Sequence, residues 1–433
     1  MTRFVCSPGE HIGGAIRVPG DKSISHRSII FASIAEGVSR VSGFLQGEDS
    51  LNTLAAFRRM GVDIEREGDR VRIEGVGLHG LAAPGTDLDM GNSGTAMRLL
   101  LGLLAGQDFE SRLVGDASLS SRPMSRVIEP LSSMGAIIDS EPGGRAPLRI
   151  RPCHGLRAID YDMPVASAQV KSCLLLAGLY ADGETRIREP APTRDHSERM
   201  LAAFGAELRV DGAEVRMHGR QALRACDVEV PADISSAAFF LVAASIAPGS
   251  DLLLQHVGVN PTRTGVIEIL RLMGADIDIS NRRDVGGEPV ADLRVRSAPL
   301  RGIDIPHELV PLAIDEFPVL FIAAACAHGT TRLSGAEELR VKESDRIQVM
   351  ADGLAALGVN TRVQPDGIEI DAGPIGGGQV DSHGDHRIAM AFSVASLRAG
   401  SDITIADCDN VNTSFPGFVE LAREVGIRVR DEA

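Results

Sequence analysis

Lysine is nearly absent from this chain. Of 44 basic residues only three are lysine, Lys22, Lys171 and Lys342, and the other 41 are arginine. An Arg-rich codon habit accounts for the bias but not for which three lysines survive. An ammonium is a compact point charge and a guanidinium a wide planar fork, so the two are not equivalent in a tight pocket. A surplus of positive charge is also missing. The formal net charge of −15 excludes the basic stripe of a general nucleic-acid or membrane-surface binder. It leaves room for a local cationic pocket that holds a small anion.

Paired cysteines are lacking as well. Cys6, Cys153, Cys173, Cys226, Cys326 and Cys408 are scattered, with no CxxC pair and no histidine at zinc-finger spacing. They are expected to be free thiols in a reducing compartment. No metal site is expected. His11, His26, His79, His154 and His256 are isolated, and His383 and His386 in "SHGDH" lie beside Arg387, which suits an anion better than a cation. The longest apolar run, 237–247, is too short to span a bilayer. The opening "MTRFVCSPGE" has no apolar stretch of the signal-peptide kind, so the cytoplasm is the expected location. Low-complexity segments are absent.

What is present is an ordinary globular composition, 44% hydrophobic and 24% charged over 433 residues, enough for two or three domains. The chain repeats itself. "MGVDI" at 60, "MGAII" at 134, "FGAEL" at 204, "MGADI" at 273, "LGVNT" at 357 and "VGIRV" at 425 recur at a period near 70, with Thr361 departing from the apolar ending. Each glycine reads as a helix C-terminus leading into a strand. Ahead of each lies an Ala/Leu-rich helix, apolar almost all round and therefore buried. A second helix with one charged face, as in "EDSLNTLAAFRRM", should lie outside. The period is too long for ordinary solenoids. Six small α/β modules imply two domains of three, with a boundary near residue 230.

Polar residues collect at the heads of the buried helices: "DKSISHR", "GNSGTAMR", "ASAQVKS", "ADISSAA", "AIDEFP" and "GDHRIAM". N-capping explains the Asp, Ser and Asn. It does not explain Lys22, Arg27, Arg98 or Arg387, because cations at a helix N-terminus oppose its dipole. If these N-termini converge, they form a positive site for phosphates and carboxylates. "ELRVKESDRIQVM" adds Lys342 and Arg346, four apart on one helix face, either compensated by Glu343 and Asp345 or gripping an anion. "LSSRPMSRV" adds Arg122 and Arg126 in a Pro-marked turn, and "PTRDHSERM" adds Arg194 ahead of a helix. Asp315 stands among Leu312, Ala313, Ile314 and Phe317; an apolar setting raises a carboxylate's pKa and suits a general base. Capping of the helix by Asp315 or Glu316 is the plainer alternative.

The motifs "PGDKSISHR", "GNSGTAMR", "SRPM", "PVASAQVKSCLLLAGLYADG", "TRDHSERML", "DISSAAFFL", "IDEFP", "RVKESDR", "DHRIAM" and "SFPGF", in this order, resemble the 3-phosphoshikimate 1-carboxyvinyltransferases, or EPSP synthases, over essentially the whole chain. The resemblance implies a two-domain inside-out α/β barrel, the enolpyruvyl transferase fold, with six βαβαββ-type repeats. Residues 21–229 would form the first domain, 1–20 and 230–433 the second, with the active site in the cleft between them. It implies transfer of the enolpyruvyl group of phosphoenolpyruvate to the 5-hydroxyl of 3-phosphoshikimate, with release of phosphate, by a cytoplasmic monomer that uses no cofactor. Lys22, Ser23, Arg27, Ser167, Ala168, Gln169, Arg194, Asp315 and Lys342 would hold 3-phosphoshikimate. Lys22, Gly94, Arg122, Gln169, Arg346 and Arg387 would hold phosphoenolpyruvate. Asp315 would be the base for the 5-hydroxyl, Glu343 a second acid/base near the methylene carbon, and either Glu343 or Lys22 the group that protonates that carbon. Lys171 receives no role.

Two positions depart from the pattern of some members: Ala168 replaces a serine, and Thr413 a lysine, which removes one hydrogen bond and one cation. The sister enzyme that acts on UDP-N-acetylglucosamine carries a reactive cysteine in a loop that here reads "VGDASLSSRPMSR", without cysteine. A non-catalytic anion-binding scaffold would have no use for both Asp315 and Glu343.

Overall fold

Why the chain forms its buried helices is clearest at Ile234–Ile246, where all 13 residues are buried. Each of its large apolar side chains contributes roughly 1.5–3 kcal/mol by leaving water. A computed structural model describes residues 2–432 as a mixed α/β chain. Five further helices are of the same kind: Lys22–Ile34, Gly94–Leu104, Ala168–Gly178, Phe317–Ala325 and His386–Ala395. Outer helices such as Glu48–Arg59 bury only one face.

The chain divides into two compact units. One comprises Gly20–Val230 and Val285–Glu288; the other comprises the residues up to Pro19, Pro231–Asp284 and those from Pro289 onward.

In the first unit, strand Ala35–Ser42 pairs antiparallel with Arg70–Val76, which pairs with Asp63–Glu67. Strands Ser111–Val114, Arg145–Ile150 and Ile138–Glu141 form a second sheet on the same plan, and Glu184–Arg188, Glu214–His218 and Leu208–Asp211 a third. Each sheet gains a short parallel strand: Leu223–Arg224 and Val228–Glu229, Leu88–Asp89, and Asp160–Asp162 respectively. The three buried helices of this unit share one core with the inner faces of these sheets. Helices Gly94–Leu104 and Ala168–Gly178 approach so closely at Gly102 that a Cβ there would run into the Cys173 carbonyl.

In the second unit, the order is Asp276–Val285, Glu288–Arg296, Asp251–Gly258, Gly13–Ile16 in one sheet and Thr330–Leu333, Gly367–Asp371, Asn360–Gln364 in another. The last sheet runs Gly378–Asp381, Ile403–Ala406, Arg3–Ser7, Arg428–Glu432, with Phe4 opposite both Ile405 and Asp431. The start of the chain thus completes a sheet made otherwise of its end, which is why the first 19 residues group with the C-terminal half.

All six repeated glycines end an outer helix in the left-handed region: Gly61, Gly135, Gly205, Gly274, Gly358 and Gly426 have φ of 87°, 101°, 87°, 99°, 86° and 113°. A side chain would be strained there, so the glycine is dictated by the turn from helix to strand.

Candidate functional site

Within the first unit the N-termini of the three buried helices are tied to one another by side chains. Asp21, Ser93 and Ser167 cap them, accepting from the N–H of Ile24, Ala96 and Val170. His26 bonds Thr53 Oγ1 at 2.7 Å and lies 3.5 Å from Ser93 Oγ. Burial pushes its pKa well down, helped by Lys22 and Arg27, so His26 is a neutral spacer that adds no charge. Arg98 Nη1 donates to Gln169 Oε1 at 2.7 Å, and Gln169 Nε2 donates to Thr95 Oγ1 at 3.0 Å. Arg122, at the turn after the short helix Ala117–Ser121, donates to Asn92 Oδ1 at 2.8 Å and Ser118 Oγ at 3.0 Å. A Cβ on Gly94 would stand 2.9 Å from Arg98 Nη1 and 3.5 Å from Arg122 Nη1. Gly94, Arg98, Arg122 and Gln169 therefore form one cluster, with Arg98 a member that the resemblance did not assign.

A second cluster surrounds Arg27. Its Nε donates to Ser197 Oγ at 2.8 Å, Nη1 to the Ser23 carbonyl at 3.0 Å and Nη2 to Ser172 Oγ at 2.7 Å. These use three of the five N–H donors of a guanidinium. Burial pushes Arg27 down to about 10, opposed first by the charge of Glu198. A buried cation among hydroxyls and a carbonyl is a natural partner for an anion. Ser23, Ser167, Ala168 and Gln169 are half-buried beside these helix starts, as is Arg194 just ahead of helix His196–Ala203. Lys22 is half-buried and its Nζ is paired with Asp49, a buried carboxylate at the start of helix Glu48–Arg59.

The second unit holds Asp315 and Glu343. Arg346, fully buried, reaches three of them: Asp385 Oδ2 at 2.8 Å, Glu343 Oε2 at 2.6 Å and Asp315 Oδ1 at 3.2 Å. Burial alone would lower its pKa; Asp385, Glu343 and Asp315 outweigh burial and raise it, so it is permanently charged. Lys342 Nζ lies 3.0 Å from Glu338 and 3.6 Å from Asp315. Arg387 Nη1 donates to the Asp315 carbonyl at 3.0 Å. Asp385 caps helix His386–Ala395, accepting from the Arg387 N–H, and also accepts from Ser344 Oγ at 3.1 Å. Asp315, Lys342, Glu343, Arg346 and Arg387 are thus brought together.

Four readings from the sequence need correction. Lys342 and Arg346 do not share a helix face, because Lys342 ends the 3-10 turn Glu337–Val341 and the helix begins only at Arg346, capped by Asp345. Asp315 is not in an apolar setting. Ala313 and Phe317 point into the core, while the half-buried carboxylate sits between Lys342 and Arg346. Glu316 occupies the helix N-cap position without a side-chain cap; its carboxylate accepts instead from the Ser235 hydroxyl. Arg126 is exposed in helix Ser125–Ser133 and takes no part in the Arg122 turn. Thr413 is buried and donates to the Asn410 carbonyl at 2.7 Å.

Asp49 and Asp385 were missed as site residues. Both stand at helix starts, the only signal that the sequence offered for them. Lys171, left without a role, is buried between Glu189 and Glu198.

Residues 6–421 match the EPSP synthase (3-phosphoshikimate 1-carboxyvinyltransferase) family. The 3-phosphoshikimate 1-carboxyvinyltransferase of Alkalilimnicola ehrlichii is 66% identical over 427 residues, 98% of this chain and 96% of that one. The protein of the same name from Methylococcus capsulatus is 66% identical over 428 residues, 98% of each. The structure of EPSP synthase from Acinetobacter baumannii is similar with a TM-score of 0.91 and 54% identity over 100% of both chains. The enolpyruvyl transferase NikO from Streptomyces tendae, at 18% identity and a TM-score of 0.80 over 100% of this chain and 99% of its own, shares the fold.

Proposed function

Because the chain belongs to the EPSP synthase (3-phosphoshikimate 1-carboxyvinyltransferase) family, we propose that the two residue sets described above act together on 3-phosphoshikimate and phosphoenolpyruvate. The chain is an enolpyruvyl transferase of the shikimate pathway and of aromatic amino-acid biosynthesis. It moves the enolpyruvyl group of phosphoenolpyruvate to the 5-hydroxyl of 3-phosphoshikimate and releases phosphate.

The observation that carries the site assignment is the arrangement around Arg346, with Asp315 and Glu343 on different nitrogens of one buried guanidinium. The reaction breaks the C2–O bond of phosphoenolpyruvate and restores its methylene. The direct route adds a proton to C3 while the 5-hydroxyl oxygen attacks C2, then removes a proton from C3 as phosphate leaves. Two proton-transfer groups are required, one at the hydroxyl and one at the methylene. Asp315 takes the hydroxyl proton, and Glu343 serves C3 with Lys22 as the nearby cation. Arg346 fixes both carboxylates and, with Arg387, Arg122, Gly94, Gln169 and Lys22, holds the anionic groups of phosphoenolpyruvate. Lys22, Ser23, Arg27, Ser167, Ala168, Gln169, Arg194 and Lys342 hold 3-phosphoshikimate, with Asp315 on its hydroxyls. Both sets are needed, since Asp315 and Glu343 supply the proton transfers and the cations hold the anionic groups of the substrates.

The recurrent sheets and the six αL glycines support a fold of six βαβαββ-type repeats, three in each of two inside-out α/β barrels, with domains of 21–229 and of 1–20 with 230–433. Since one chain supplies every group, we take it to work as a monomer in the cytoplasm. No helix among the described residues is long and apolar enough to cross a membrane.

The deciding measurement is phosphate release from phosphoenolpyruvate. Release with 3-phosphoshikimate and none with UDP-N-acetylglucosamine is expected; the reverse would overturn the assignment.

A further inference from the structure

Lys171 is buried, with 2% of its side chain exposed, in helix Ala168–Gly178. Its Nζ lies 2.9 Å from Glu189 Oε2 and 2.6 Å from Glu198 Oε1, and both glutamates are buried. Glu189 follows strand Glu184–Arg188, and Glu198 is the third residue of helix His196–Ala203. Residues 190–195 between them are in neither helix nor strand and include Pro190 and Pro192. One ammonium therefore closes both ends of an irregular segment. The Thr193 hydroxyl donates to the other oxygen of Glu189 and shortens the loop further.

This segment carries Arg194 and leads to Ser197, whose hydroxyl accepts from Arg27 at 2.8 Å and lies 2.6 Å from Ser172 Oγ. We propose that Lys171 is a positioning residue for the phosphate of 3-phosphoshikimate, acting through Glu189 and Glu198 to fix Arg194 and Ser197. The inference rests on the assignment of Arg27 and Arg194 to that phosphate.

Stability alone does not account for the cluster. A buried ion pair is a weak stabiliser, because desolvating its charges cancels most of their attraction, and apolar residues of the same volume serve as well. Burial raises the Glu198 pKa and the Lys171 charge opposes it; its Oε2 has no hydrogen-bond partner. Lys171 is the foremost charge that opposes this rise, and Glu198 in turn is the foremost charge that favours the protonated form of Arg27. In formal charge the two cations Lys171 and Arg27 match the two carboxylates Glu189 and Glu198. A single Nζ at hydrogen-bond distance from two carboxylates also explains lysine in a chain that otherwise uses arginine, since a planar fork would overrun the slot.

The test uses Lys171→Met with Glu189→Gln, which leaves Glu198 to balance Arg27, alongside Arg194→Ala and the triple variant. The double variant is expected to melt cooperatively. Its KM for 3-phosphoshikimate should rise about tenfold or more while that for phosphoenolpyruvate stays within about twofold, since a positioning loss falls on one substrate. Adding Arg194→Ala should then cost far less than it does in the wild-type background, because coupled residues are not additive. A folded double variant with an unchanged 3-phosphoshikimate KM, or losses that simply multiply, would overturn the proposal. Arg194→Ala alone separates two failures. If it is silent, the assignment of Arg194 to the phosphate is wrong; if it raises the KM while the double variant does not, that assignment stands and Lys171 is an inert core cation. Should the double variant fail to fold, Glu189→Gln decides, since it keeps the shape and the Lys171–Glu198 pair. A rise of roughly two- to fivefold in the same KM is expected, and no rise refutes the role.

Discussion

Gly94→Ala offers a sharp test of the phosphoenolpyruvate assignment, because the structure predicts a near-silent effect on stability and a large one on binding. The new Cβ would lie 2.9 Å from Arg98 Nη1, so the tip of Arg98 must retreat by about half an ångström to reach ordinary contact. That nitrogen also donates to Gln169 at 2.7 Å. Loosening this bond costs about 0.5–1.5 kcal/mol. Against it stands the helix preference for alanine over glycine, up to about 1 kcal/mol at the first residue of Gly94–Leu104. The two nearly cancel, so the melting temperature should barely move. Binding has no such offset. An anion that accepts from this helix N-terminus must come close to the Gly94 backbone, and a methyl group there imposes an overpacking cost of about 1–3 kcal/mol. At 1.4 kcal/mol per factor of ten, the KM for phosphoenolpyruvate should rise roughly ten- to hundredfold. Phosphate release, with each substrate varied at saturating levels of the other, separates the two constants. The 3-phosphoshikimate KM should stay within about threefold. An unchanged phosphoenolpyruvate KM with a lower melting temperature would show that Gly94 serves only the backbone.

Asp315→Asn keeps an acceptor for Arg346 and Lys342 but cannot take a proton, so turnover should fall by about two orders of magnitude or more with 3-phosphoshikimate affinity largely intact; calorimetric binding with near-normal turnover would remove Asp315 from the base role. Lys22→Arg should abolish most turnover without lowering the melting temperature, because the charge is kept while a guanidinium is a wide fork that does not readily give up a proton; wild-type turnover in that protein would make the lysine incidental. Arg346→Lys offers one nitrogen where Asp385, Glu343 and Asp315 use three. At least one carboxylate is then left without its partner, and urea unfolding should show a loss of about 3–5 kcal/mol. Unchanged stability would mean that water already satisfies these carboxylates.

What the sequence made legible was local. The six glycines could be read because a left-handed helix end is a property of a few adjacent residues. The capping residues Asp21, Ser93, Ser167, Asp233 and Asp385 could be read because each bonds an N–H two or three positions away. The Lys342–Arg346 spacing misled because four residues share a face only if the helix runs through them. Here Asp345 caps the Gln348 N–H and starts a new helix instead. Lys171 stayed mute because Glu189 is 18 residues away along the chain, and the Arg27–Ser197 bond spans 170. No periodicity carries that information.

Cations at helix starts pointed to an anion site, yet a net charge of −15 sits oddly with a concentrated positive site. The buried carboxylates resolve this. Asp49 stands beside Lys22, Asp385 beside Arg346, Glu198 near Arg27, and Asp233 and Glu316 beside the buried Arg263. Lys22, Arg346 and Arg263 are each paired with a carboxylate, which fixes their geometry, and Arg27 has the Glu198 charge near it. The arrangement sets a cost as well as a benefit. A cation so paired attracts an incoming phosphate less strongly, but it does not have to be ordered when the phosphate arrives. Removing such a carboxylate should therefore loosen the site before it weakens the field, and Asp49 and Asp385 belong to the binding chemistry as much as the cations they hold.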